Sequence, residues 1–253
     1  MKSNLWKPLA AMVILALLLS ALAGCTAPEP IAAPKPAEPA AEAADTPAPA
    51  KPAEEVMEEE IVLRVNLGAE PSAIDPNLAQ DTFAINSLEG MFLGLTNINN
   101  TTAEIEPELA TDWDISEDGL VWTFHMRQDA VWTDGNPVTA HDIEYSVKRA
   151  VKPETASPYA YVLYVIENAQ PINQTGIPTD TYDIDTLGVK ALDDYTVQFT
   201  LEAPASYFLA ISSLWTLRPV PRWTIEEYGD AWTESENVVT NGPYLLKDWK
   251  HGE

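Results

Sequence analysis

The side chains of this chain that could do chemistry are three histidines, one cysteine and a large surplus of carboxylates. His125, His141 and His251 show no H-x-x-x-H spacing and have no cysteine near them, so they do not make a transition-metal ligand set. Carboxylates come in close pairs, Asp112 with Asp114 and Glu117 with Asp118, the raw material of a glycosidase dyad. In a chain with 39 Asp and Glu against 14 Lys and Arg, such pairs read as solvated turn residues. There is no G-x-S-x-G elbow and no Gly-rich phosphate loop. The sequence therefore offers no catalytic constellation, and neither a metal nor an organic cofactor is expected. The chemistry to look for is binding.

The cysteine carries a different message. Cys25 follows Leu22-Ala23-Gly24, after an apolar run at residues 9–19 and the basic Lys2 and Lys7. That is a bacterial export signal ending in a lipobox, and the apolar run is shorter than the roughly 20 residues of a spanning helix. Residues 1–25 are read as a lipoprotein signal peptide. Cys25 would be lipidated, leaving the protein outside the cytoplasmic membrane and anchored to it, on the periplasmic or cell-surface side. No second cysteine exists, so no disulfide framework is possible. Residues 26–60 are almost wholly Ala, Pro and Glu, too poor in large apolar groups to offset ordering entropy, and read as a disordered tether. The formal charge of −25 argues against nucleic acid as a partner, because phosphates need a basic surface.

Residues 61–253 must supply the elements that position a site. Val121–Met126 alternates, with Trp122, Phe124 and Met126 on one face and Val121, Thr123 and His125 on the other. Asp134-Gly135 supplies a tight turn. Thr139 and Asp142 form a T-x-x-D cap opening a helix, with Ile143, Val147, Ala150 and Val151 inward and the Glu144–Lys148 pair outward. Residues 61–67 read as a first strand, and residues 83–95 have helical spacing through Ile85, Leu88, Met91 and Phe92. Residues 109–115 pair with Val121–Met126 across a polar turn. Residues 157–167 read as a helix with Pro158 in its first turn, and residues 170–185 as an irregular surface insertion. Residues 189–192 and 196–201 form a hairpin around Asp193-Asp194. Short helices are expected at 207–214 and 224–228, and a new strand opens at 242–249. The chain stops just after that strand starts, so it reads as a fragment.

Several of these stretches occur together in one known family. WTF at 122–124, Arg127, WTDG at 132–135 and PVTAHD at 137–142 are followed by TASPYA at 155–160, LGVKALDDYTVQFTL at 187–201 and VVTNGPYLLKDW at 238–249. In this order they resemble the family 5 solute-binding proteins of bacterial ABC importers, and within them the oligopeptide-binding proteins. The resemblance implies an α/β fold of the two-lobed periplasmic-binding type, class II-like, with only part of the first lobe present. It implies peptide capture, delivery to permease and ATPase subunits, and a monomer when complete. The family's ligand-facing tyrosine matches Tyr159, and its loop beside the bound peptide matches Gln80, Asp81 and Thr82. The family also contains binders of dipeptides, oligosaccharides, nickel chelates and haem. TASPYA favours oligopeptide among these. A non-transport envelope lipoprotein or a hydrolase is the reading outside the class.

Overall fold

The computed structural model describes residues 65–175 and 182–252. The predicted signal peptide with Cys25, the tether and part of the predicted insertion lie outside the described residues. The chain divides into two units, Met1–Ile61 and Val62–Glu253, and the described residues all belong to the second.

The centre of that unit is a four-stranded antiparallel sheet in the order β3-β4-β6-β5, built from β3 (Ala110–Ile115), β4 (Val121–Met126), β5 (Val189–Asp193) and β6 (Thr196–Thr200). The alternation of β4 sets its faces: Trp122, Phe124 and Met126 are buried while their neighbours are only partly covered. Trp122 pairs with Phe199 and Phe124 with Val197 across the β4–β6 ladder. On the other face Gln198 reaches Thr123 by a side-chain hydrogen bond of 3.1 Å. A one-residue slip would turn the aromatic set into water, so the register is strongly specified.

A helix, α2 (Ala140–Val151), covers the sheet with Ile143, Val147, Ala150 and Val151 buried. It starts where the T-x-x-D pattern places it. The Asp142 carboxylate accepts from the Thr139 N–H at 2.8 Å and from its hydroxyl at 3.1 Å. The indole N–H of Trp132 donates to the same oxygen at 3.3 Å. Burial pushes the Asp142 carboxyl above its ordinary range, against the pull of those donors. Lys148 bridges Glu144 at 2.8 Å and Asp185 at 2.7 Å on the outer face. A second helix, α1 (Thr82–Met91), precedes a small ribbon of β1 (Thr96–Ile98) and β2 (Ile105–Pro107).

Several expected elements come out differently. Residues 65–67 are exposed and form no strand. The α1 helix ends at Met91 rather than 95, because Phe92 is already extended and its N–H closes on the Leu88 carbonyl. Residues 157–167 are not one α-helix: a 3-10 segment, Ala160–Val165, gives way to an extended Ile166 that bridges Leu201 beside the sheet. Pairing with the sheet wins over helix continuation there. The predicted insertion contains a short helix, α3 (Ala169–Asn173), and a 3-10 turn, Ile184–Thr186. The helix expected at 207–214 shortens to α4 (Phe208–Ile211), while α5 (Arg222–Tyr228) starts two residues early.

The stretch expected to open a strand at 242–249 is a strap instead. Gly242 N–H donates to the Met91 carbonyl at 2.8 Å, and Asn241 accepts from Leu93 N–H at 2.9 Å. Thr133 N–H meets the Thr240 carbonyl at 2.8 Å, tying the same strap to the Trp132 turn. A Cβ on Gly242 would lie 2.5 Å from the Met91 carbonyl carbon, so only glycine allows the approach.

Candidate binding site

The predicted ligand-facing loop is mounted on a buried acid. Asp75 is 2% exposed, and a charge so deep must be paired and hydrogen-bonded. Arg149 of α2 grips it two-handed, with Nη1 to Oδ1 at 2.9 Å and Nη2 to Oδ2 at 2.7 Å. The same Nη1 reaches the Asn77 side-chain oxygen at 2.7 Å, and Trp232 Nε1 donates to Asp75 at 3.2 Å. Asn77 in turn donates to the Thr216 carbonyl at 3.1 Å. The loop's base is thus held by α2, by the segment before Arg218 and by Trp232. No sequence pattern joined these residues; the one local cue is an acid beside a proline in an apolar setting, Ile74-Asp75-Pro76.

On that base stand Gln80, Asp81 and Thr82. Asp81 is the N-cap of α1: its carboxylate accepts from Ala84 N–H at 2.9 Å and from Ser72 N–H at 2.9 Å. Hydrogen bonds, with Ser72 foremost, hold its carboxyl below the ordinary value. Its side chain is therefore committed to the fold, as an N-cap aspartate's is. Thr82 is exposed as the first residue of the helix. Gln80 is exposed, and its backbone N–H and C=O have no partner among the described residues.

Tyr159, remote in sequence, is linked to this loop through Trp215. It sits half-buried just before the Ala160–Val165 turn. Its ring packs edge-on against Trp215 with centroids 4.8 Å apart, and tilted against Tyr161 at 5.6 Å. Trp215 donates its indole N–H to the Ala79 carbonyl at 3.1 Å. Tyr159 and the Gln80 loop are therefore joined through one indole that sequence reasoning did not single out. Its only prior signal was being an aromatic in a segment with no clear period. Beyond Tyr161 the wall opens into a groove of about 570 Å³, lined by Val162, Val165, Ala205, Tyr207 and Leu214.

The histidines are solvated, each beside a carboxylate. His125 lies 3.0 Å from Asp114, whose hydrogen bond raises the imidazole above its ordinary pKa. His141 stands 3.4 Å from Asp194, and both are exposed. Among the described residues no cluster of His, Cys, Asp or Glu is arranged to hold a metal ion. No helix among them is long and apolar enough to cross a membrane. The assembled wall can offer a ligand one free main-chain donor and acceptor, aromatic faces and apolar surface, which is a recognition chemistry.

Comparison with known proteins identifies the family. Residues 104–253 match the model of the bacterial extracellular solute-binding proteins, family 5 middle. The periplasmic oligopeptide-binding protein OppA of Escherichia coli is 41% identical over 193 residues, covering 73% of this chain and 33% of that protein. The probable deoxycholate-binding periplasmic protein YgiS of the same organism is 36% identical over 188 residues, covering 74% of this chain and 34% of its own length. The crystal structure of Haemophilus influenzae OppA in complex with RPPGFSPFR superposes with a TM-score of 0.68 at 36% identity. It covers 73% of this chain and 35% of that one. The chain spans about a third of the length of the curated relatives it matches.

Proposed function

We propose that this chain, which belongs to the bacterial extracellular solute-binding proteins of family 5, is part of the oligopeptide-capturing component of an ABC importer. It takes peptides outside the cytoplasmic membrane and delivers them to permease and ATPase subunits. Its work is capture, without a catalytic step, by a cleft that closes between two lobes. Cys25 carries the lipid that anchors it; loss of fatty-acid labelling in Cys25→Ser is the check on that point.

One observation supports peptide above the other ligands of the family: the unpartnered main-chain N–H and C=O of Gln80, whose neighbour Ala79 is joined through Trp215 to the ring of Tyr159. An extended peptide presents the complementary pair at every residue, so main-chain pairing gives affinity without demanding a sequence. A sterol acid or a sugar does not repeat that pattern. The neighbouring apolar groove suits a peptide side chain in the same way.

The test is Tyr159→Ala in the full-length gene product, with calorimetric titration of trilysine and a denaturant melt. An aromatic contact adds about 0.5–1.5 kcal/mol beyond its buried area, so affinity should fall by about tenfold. The melting midpoint should move little, because the ring is only half-buried. Unchanged affinity with a large fall in midpoint would make Tyr159 a packing residue and remove it from the site.

A further inference from the structure

We propose that Trp215 is the positioning residue of this wall, aiming the main chain of Gln80 at the ligand while holding the Tyr159 ring at a fixed place beside it. The proposal rests on the peptide-capture reading and says what regulates its geometry. Trp215 belongs to the 3-10 turn Trp215–Leu217, remote in sequence from both partners. It touches them through different parts of one rigid side chain. The indole N–H donates to the Ala79 carbonyl at 3.1 Å, and the ring face or edge meets Tyr159 at 4.8 Å.

The Ala79 carbonyl matters because of peptide planarity. That carbonyl and the Gln80 N–H belong to one flat trans unit and point in opposite directions. Pinning the oxygen on Trp215 therefore sets the direction of the Gln80 N–H, away from the indole. The preceding peptide unit is fixed as well, since Ala79 N–H donates to the Asp75 carbonyl at 2.9 Å. On the other side the Asp81 carboxylate is tied to Ser72 and Ala84. Gln80 is thus the one exposed residue between two locked neighbours, and Trp215 supplies the lock that is not local to the loop. Ala79 is 1% exposed, so its carbonyl has no water to replace the indole if that bond is lost.

The experiment removes the N–H and little else. Trp215→Phe keeps an aromatic ring against Tyr159. Replacement of Trp215 by benzothienylalanine keeps the size and shape of the indole and exchanges only its N–H for sulfur, so it serves if the Phe variant folds poorly. Each is titrated in the full-length gene product with trilysine and with two trilysine esters, each having one backbone amide replaced. In the wild type at least one ester should bind about tenfold more weakly, because its carbonyl is a weaker acceptor for the Gln80 N–H and it lacks the N–H that the Gln80 carbonyl would accept. In both variants trilysine should bind several-fold more weakly. The ester penalty should shrink to about twofold, since Gln80 is no longer aimed, while the melting midpoint of the benzothienyl protein stays near that of the wild type. That loss of additivity is the signature of positioning, because a merely structural defect would weaken amide and ester alike.

Equal affinity of wild type and variants for trilysine would overturn the proposal, and so would an ester penalty that the variants leave intact. A wild type that binds trilysine yet tolerates both esters would also overturn it while leaving peptide capture standing. A wild type that binds no trilysine in any form would instead sink the capture reading, and the proposal with it.

Discussion

Beneath the four-stranded sheet the interior is a stack of rings, whereas behind the loop at 79–82 it is a lattice of charged and amide groups. Phe124 meets Phe199 at 5.8 Å and Phe208 at 6.3 Å, and Trp122 meets Phe208 at 5.6 Å. Asp75, by contrast, is fixed by Arg149, Asn77 and Trp232 through bonds of 2.7–3.2 Å. Close by, Arg218 is 1% exposed and spends Nη1 on the Leu88 and Phe92 carbonyls at 2.9 and 2.7 Å. A second nitrogen, Nη2, reaches Glu89 at 2.8 Å, while the buried Nε has no hydrogen-bond partner among the described residues. The two regions teach different lessons about how a chain holds shape. Apolar contact is non-directional and sums over area, so it stabilises a sheet without fixing any one group finely. Hydrogen bonds and ion pairs are directional, so they suit a loop whose main chain must face a ligand.

The comparison can be broken most severely in the ring stack. Phe124→Ala should cost about 3–5 kcal/mol of folding stability, the usual range for a large buried aromatic cut to alanine. Trilysine affinity of the protein that remains folded should be unchanged, measured by calorimetry well below the melting midpoint. A change in affinity as large as that caused by Tyr159→Ala would mean that the stack also shapes the site.

Arg149→Met probes the lattice and should be felt in both readouts. Removing one partner of a buried ion pair strands the other, at a cost of about 3 kcal/mol, since the side chains of Arg149 and Asp75 are only 16% and 3% exposed. Affinity should fall as well, because the base of the Gln80 loop is loosened. Lost stability with full affinity would show that the loop holds its place without the pair.

The smallest effect sharpens the comparison by repeating the same chemistry in water. Arg127 donates to Asp129 through two bonds of 2.6 and 2.8 Å, with both side chains largely exposed. Hydrogen bonding from Arg127 lowers the Asp129 carboxyl from 3.8 to about 2. A depressed carboxylate adds stability that is present above its unfolded value and is lost as pH falls through its folded one. The window therefore runs from about 3.8 down to about 2. Arg127→Ala should return the Asp129 midpoint toward 3.8 in an NMR titration, with almost no change in the melt at neutral pH, as expected for an exposed pair. A midpoint that stays near 2 would assign the shift to something other than Arg127.

What the sequence determined by itself was a set of elements with a clear period or a local cap. The β4 alternation, the Thr139–Asp142 cap, the inward face of α2 and the β5–β6 hairpin follow from side-chain direction along a strand or helix, which needs no knowledge of the rest of the chain. Tyr159 and Gln80 were legible as candidates only through the resemblance of their surroundings to a family, since one tyrosine and one exposed glutamine carry no pattern. Tertiary structure decided the rest. Residues 160–166 leave the helix because the sheet offers Ile166 a partner in Leu201. The 238–249 motif becomes a strap because Met91 and Leu93 offer it hydrogen bonds. Asp75, Arg149 and Trp215 acquire their roles from groups some 70 to 140 positions away. A directional bond between distant residues leaves no trace in local spacing, and it is bonds of that kind that build the candidate site.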